Sequence, residues 1–154
     1  PLHLGVTEAG TERMGIIKSS AALGALLCEG IGDTIRVSLT ADPVREVYAA
    51  RDLLAALGFE RSRVQFVSCP TCGRCRVDLF RIAEEVERAL ATVHKDIKVA
   101  IMGCAVNGPG EAADADIGIA GGDGEFLLFE KGKPLYKVSP GQVINTLLNE
   151  VEKL

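Results

Sequence analysis

At 154 residues, with 47% hydrophobic and 25% charged residues, the chain is long enough to bury one good core or two small ones and too apolar to be disordered. A net charge of -4, a pI near 5.2 and the absence of tryptophan exclude the broad basic, base-stacking surface that nucleic-acid binding needs, and no apolar run approaches membrane-spanning length. Pro1-Leu2-His3 does not begin a signal peptide, and five cysteines, mostly on Gly/Pro turns, do not form a disulfide framework in a chain of this size. The expectation is a cytoplasmic protein whose thiols are ligands or redox groups.

In chain order, residues 2–6 read as a short strand and residues 14–29 as an Ala/Leu-rich helix closed by Gly30. Residues 34–39 read as a second strand, after which Asp42 caps and Pro43 starts a helix to Leu57, ended by Gly58. Strand, helix, strand, helix is the repeat of a parallel sheet. Thr7 and Glu8 follow the first strand, and Arg36, Ser38 and Thr40 lie on or just beyond the second, at the end where parallel α/β folds carry out chemistry. Taken singly, the same residues fit a solvated strand end equally well. Two strands and two helices neither close a barrel nor complete a doubly wound sheet. Residues 1–60 are therefore expected to be part of a larger domain, and the chain to be the C-terminal portion of a longer protein.

A polar turn at 58–62 marks the boundary to a second domain, 61–154, that looks self-contained and α/β. It begins with a strand at 63–68, and Leu79, Ile82, Ala83, Val86, Leu90 and Val93 then fall at helical spacing within 77–93. Strands follow at 98–102 and 116–120, then a hairpin of 126–130 and 134–138 linked around Lys131-Gly132-Lys133. Ser139 is expected to cap a last helix over 140–153. Cys28, beside Leu26 and Leu27, reads as a buried core thiol, and His94 as a solvated residue near a helix end.

The strands at 63–68 and 98–102 each deliver a thiol to a tight loop. If they are neighbours in one sheet, Cys69, Cys72 and Cys104 converge on a point, with Cys75 or Glu111 as a fourth ligand. A lone C-x2-C fits zinc, a thiol-disulfide pair or an iron-sulfur cluster. The remote Cys104 favours a cluster, since structural zinc usually gathers two close cysteine pairs and a dithiol couple needs no distant thiol. Glu111 follows the turn Asn107-Gly108-Pro109-Gly110; as a ligand it would be harder and more readily displaced than thiolate, although a surface carboxylate after a turn is the plainer reading. On spacing alone the choice between Cys75 and Glu111 stays open, and a zinc-bound structural α/β module and a Cys69/Cys72 dithiol oxidoreductase remain alternatives.

Four ordered stretches carry a resemblance: Leu4-Gly5-Val6-Thr7-Glu8-Ala9-Gly10, the run from Glu29 to Leu39, Cys69-Pro70-Thr71-Cys72-Gly73-Arg74, and Gly103-Cys104-Ala105-Val106-Asn107-Gly108-Pro109-Gly110-Glu111. Together they closely resemble the 4-hydroxy-3-methylbut-2-enyl diphosphate synthase family, nearly end to end. The resemblance implies the last βα units of a TIM-type barrel followed by a small iron-sulfur domain like those of sulfite and nitrite reductases. It implies reductive ring opening of 2-C-methyl-D-erythritol 2,4-cyclodiphosphate in the methylerythritol phosphate route to isoprenoids. A 4Fe-4S cluster, ferredoxin or flavodoxin as electron donor, and a homodimer in which one subunit's cluster domain covers the other's barrel come with it. By motif, Cys69, Cys72 and Cys104 would be the thiolate ligands and Glu111 the ligand of the unique iron. Asn107, Arg36 and Ser38 would contact substrate, and Glu8 would be the barrel carboxylate beside it. Cys75 is not among the family's ligands. The family's barrel begins before Pro1, so this chain alone is not expected to turn over.

Overall fold

The computed structural model describes residues 1–154, which form two compact units, Pro1–Arg61 and Ser62–Leu154. No helix is long and apolar enough to cross a membrane.

The first unit consists of β1 (His3–Gly5), α1 (Glu12–Cys28), β2 (Thr34–Arg36) and α2 (Pro43–Ala56). The strands pair in parallel with Gly5 opposite Arg36. The Gly5 position has no room for a side chain, because a Cβ there would stand 2.9 Å from Arg36 Nη2. Both helices stop as the glycines after them suggest. Gly30, at φ 74°, donates to the Leu27 carbonyl while Ile31 donates to that of Leu26, and Gly58 and Phe59 repeat the pattern on Ala55 and Leu54. Asp42 caps α2 by accepting from the Val44 N–H at 2.8 Å. The core is Leu23, Leu27, Val37 and Leu53.

Two expectations fail in this unit. Cys28 is exposed, because the buried face of α1 runs through Gly15, Ser19, Leu23 and Leu27, and the next residue is turned about 100° away. The second strand, expected over 34–39, ends at Arg36, so Ser38 lies beyond β2 rather than within it.

The second unit is one five-stranded sheet in the order β3 (Gln65–Ser68), β4 (Lys98–Met102), β5 (Ile117–Gly121), β6 (Phe126–Glu130), β7 (Lys133–Val138). The first three strands are parallel and the last two antiparallel to their neighbours. Helices α3 (Leu79–Leu90) and α5 (Val143–Lys153) pack Leu79, Ile82, Val86, Leu90, Val143, Leu147 and Val151 into the same core as Val99, Ile101, Ile119 and Leu128. A second cluster of small side chains, Ala100, Ala112, Ala115 and Ala120, gathers with Met102 and Phe129. Here sits a single helical turn, α4 (Gly108–Glu111), where the sequence suggested only a loop. Gly108 makes the fit possible: a Cβ there would lie 2.7 Å from that of Met102 and 3.1 Å from that of Ala120. Pro109 is tolerated because first-turn amides have no helical partner to lose.

The hairpin turns on two residues, Lys131 at φ 47° and Gly132 at φ 75°, the positive pair that matches strand twist in a tight link. At α3, Asp78 accepts from the Arg81 N–H at 3.3 Å and sets the start two residues later than periodicity alone suggested. Ser139 does not cap α5. Its hydroxyl meets the Gln142 side chain at 3.3 Å and its carbonyl accepts from Gln142 N–H, so Pro140-Gly141 form a turn and the helix begins at Val143.

The centre of the sheet admits no extra volume. At Gly118 a Cβ would stand 2.4 Å from Phe129 Cζ and 2.7 Å from the Ala100 carbonyl oxygen, which as backbone of a paired strand is not free to withdraw. Gly118→Ala is expected to cost about 1–3 kcal/mol, read as a lowered denaturant midpoint. An unchanged midpoint would mean that this part of the sheet is loosely packed.

Candidate functional site

Strands β3 and β4 pair in parallel with Ser68 opposite Ile101, so the residues that follow them emerge at one end of the sheet. The Cys69 N–H continues the ladder to the Ile101 carbonyl at 3.3 Å, and the Gly103 N–H turns onto Cys69 Sγ at 3.2 Å. Beyond Cys69 the chain makes a turn, Cys72-Gly73-Arg74-Cys75, closed by Cys75 N–H donating to the Cys72 carbonyl at 3.0 Å. Arg76 N–H then bonds the Gly103 carbonyl at 3.1 Å and ties the two loops together.

Cys69, Cys72, Cys75, Cys104, Asn107 and Glu111 all line one cavity of about 220 Å³. Cys69, Cys72 and Cys104, expected to converge on a point, thus share one cavity, while no three thiol, imidazole or carboxylate side chains are grouped to hold a single ion. The distinction matters chemically. Zn–S bonds of about 2.3 Å require sulfurs roughly 3.8 Å apart about a common point, whereas a polynuclear group takes each ligand on a different metal. Glu111 reaches the cavity because α4 lies against the alanine-lined part of the core, with its N–H bonded to the Asn107 carbonyl at 2.9 Å.

The two sulfurs nearest Gly103 differ in hydrogen-bond polarity. Cys69 Sγ accepts from the Gly103 amide. Cys75 Sγ faces the Val77 carbonyl oxygen at 3.3 Å, to which only a protonated thiol can donate. Sequence spacing carries no trace of this difference, which depends on where the chain after Arg76 places one carbonyl. Reading by residue type also passed over Gly103. A Cβ there would come within 2.9 Å of Cys75 Sγ and 3.5 Å of Cys69 Sγ, so a glycine immediately before the loop cysteine is the signal that the thiols crowd the backbone. Arg74 and Cys104 line a second, larger cavity of about 510 Å³ as well, with Arg76, Lys137 and Phe126. Val106, between Cys104 and Asn107, is 88% exposed.

In the first unit, Glu8, Arg36 and Ser38 all lie at or beyond the C-terminal ends of the paired strands β1 and β2. Glu8 is exposed and has φ 56°, a left-handed conformation uncommon for a residue with a side chain and of the kind that clusters at binding sites. Arg36 is exposed, with its guanidinium over Gly5, and Ser38 is half-buried. His94, beyond α3, is exposed.

Fold and cavity together define an α/β protein with a cysteine-lined site at the ends of adjacent parallel strands. The chain belongs to the GcpE family: residues 65–153 match the GcpE protein C-terminal domain, and residues 1–51 match the GcpE TIM-barrel domain. Over its full length it is 58% identical to the 4-hydroxy-3-methylbut-2-en-1-yl diphosphate synthase (flavodoxin) of Clostridium acetobutylicum, of which it covers 44%. It is likewise 56% identical to the enzyme of that name from Geobacillus kaustophilus, covering 41%, and 54% identical to that of Geobacter sulfurreducens, covering 44%. The chain thus spans less than half the length of these relatives.

Gly103→Ala tests the crowding at the cavity. In the metal-free protein the added methyl is expected to displace the Cys75 side chain and raise its alkylation rate towards that of exposed Cys72. An unchanged rate, measured by mass spectrometry, would mean that the sulfur does not rest against the glycine.

Proposed function

We propose that residues 61–154 form a domain that holds a 4Fe-4S cluster through Cys69, Cys72 and Cys104, with Glu111 on the fourth iron. We propose further that the whole protein converts 2-C-methyl-D-erythritol 2,4-cyclodiphosphate to (E)-4-hydroxy-3-methylbut-2-enyl diphosphate. The observation that carries this reading is the single cavity lined by three dispersed cysteines and Glu111, in a chain of the GcpE family. The donor set fits the group: soft thiols suit iron-sulfur ligation, the Gly103 N–H directed at Cys69 Sγ is the type of hydrogen bond that tunes a cluster, and the cavity these residues line provides space for one. Cys75 is left out because its sulfur faces a carbonyl oxygen. The zinc-module alternative would need four donors around one point.

When bound, the cluster would supply the electrons for C–O bond cleavage, received from flavodoxin, which the relatives' names include, or from ferredoxin. The residues of this chain do the rest. Glu111, exposed on its one-turn helix, would hold the fourth iron through a harder donor than thiolate, which would leave that position the most open to substrate. Arg36 and Ser38 hold phosphate oxygens at the strand ends, where a planar cation gives paired hydrogen bonds and the hydroxyl adds one more. Asn107, beside Glu111, orients the substrate by its amide. Glu8, held in a strained turn beyond β1, delivers the proton with which the substrate hydroxyl departs as water. A cytoplasmic homodimer completes the reading, with the cluster domain of one subunit, related to those of sulfite and nitrite reductases, covering the barrel of the other.

Anaerobic reconstitution is expected to load about four iron and four sulfide per chain. Cys104→Ser is expected to abolish loading and Cys75→Ser to leave it unchanged. A colourless zinc protein without acid-labile sulfide, or the reverse order of the two variants, would overturn the ligand assignment. In the full-length enzyme Glu8→Gln is expected to keep the cluster and lower turnover by about 100-fold or more, the scale of a lost general acid. Normal turnover in that variant would remove Glu8 from proton delivery.

A further inference from the structure

Cys75 lines the cavity, yet its sulfur is turned to a carbonyl oxygen, so the reading above gives it no task. Its backbone suggests one. Cys72 and Cys75 are the first and last residues of a hydrogen-bonded four-residue turn, closed at 3.0 Å. A turn of this kind brings its end Cα atoms to within about 7 Å, and a disulfide spans Cα separations of roughly 4.4–6.8 Å. The other C-x2-C pair is tied differently. Cys69 is bound by its N–H to the Ile101 carbonyl and by its sulfur to Gly103 N–H, which ties both its backbone and its sulfur to the strand end.

We infer that Cys72 and Cys75 form a reversible disulfide when the cluster is lost, which makes Cys72-Gly73-Arg74-Cys75 an oxidative modification site that preserves the ligand set for reloading. The inference rests on the proposed role of Cys72 as a cluster ligand. Exposure assigns the parts: Cys72 is open to solvent and meets the oxidant, whereas half-buried Cys75 resolves the product. With hydrogen peroxide, the Cys72 thiol takes one oxygen to become a sulfenic acid and releases one water. The Cys75 sulfur then attacks the Cys72 sulfur, the S–O bond breaks, and a second water leaves. The sum is two thiols and one peroxide giving one disulfide and two waters, with two electrons passed from sulfur to peroxide. A dithiol reductant reverses the bond, whereas a sulfenic acid left unresolved proceeds to sulfinic acid and is lost as a ligand.

The test uses the intact protein, loaded anaerobically, stripped with a chelator, reduced, freed of reductant, and treated with a small molar excess of hydrogen peroxide, enough for two oxidations per chain, before alkylation without reductant. Trypsin cuts after Arg74, so the dipeptide Cys75-Arg76 stays attached to the upstream peptide only if a disulfide has formed, and fragmentation places the bond. The expected result is a Cys72–Cys75 bond in most chains, full recovery of iron loading after dithiothreitol, and in Cys75→Ser a Cys72 sulfinic acid with most of the loading lost for good. A bond between any other pair, sulfinic acid at Cys72 in the wild type, or equal recovery in wild type and Cys75→Ser would overturn the inference. A wild-type protein that never loads iron and sulfide in the first step would instead overturn the cluster reading beneath it.

Discussion

The parallel pairing of β3 with β4 is the constraint on which the candidate site depends. Two peptide loops separated by more than thirty residues share one end of the sheet because Ser68 stands opposite Ile101, and the Gly103 amide then points at the Cys69 sulfur. A slip of one residue in this pairing would turn every side chain of the strand to the opposite face. The slip is resisted by the flanking layers: Val99 and Ile101 are buried in the core shared with α3 and α5, and Ala100 and Met102 in the cluster of small side chains. The register that fills two hydrophobic layers is also the register that brings the thiols together, so folding and site formation rest on the same contacts.

Small residues set the fine geometry. Gly108 and the alanines of β4 and β5 let a one-turn helix approach the sheet closely enough to present Glu111 to the cavity. Gly103 performs the same service on the thiol side, where its missing Cβ makes room for Cys75 and Cys69. Local propensity would forbid a helix at Gly-Pro-Gly-Glu. It forms because the packing surface beneath has a shape that only glycine and alanine leave open.

Much of this was legible in the sequence, for identifiable reasons. Strands β4 and β6 read to the residue because each is an unbroken apolar run with sharp polar or glycine edges, the mark of a strand covered on both faces or bounded by a tight turn. Asp42-Pro43 and the glycines after α1 and α2 located helix ends through backbone chemistry that needs no tertiary context. The failures needed that context. Cys28 lies among leucines along the chain but on the outer face of α1, Ser139 spends its hydroxyl on a neighbouring side chain, and α4 owes its form to the surface beneath it. The candidate site divides in the same way. Its residues could be named from four short motifs, whereas the opposite hydrogen-bond roles of Cys69 and Cys75 appear only once the Gly103 amide and the Val77 carbonyl have positions.

The central claim is that three sulfurs and one carboxylate oxygen terminate a common iron-sulfur cube in this cavity. Mössbauer spectroscopy of protein reconstituted with iron-57 tests it most directly, because an oxygen-ligated iron is resolved from thiolate-ligated ones. The account predicts about one iron in four with the signature of a harder ligand, and loss of that distinct signal when Glu111 is replaced by alanine. Four equivalent, all-thiolate irons would contradict it and return Cys75 to the ligand set.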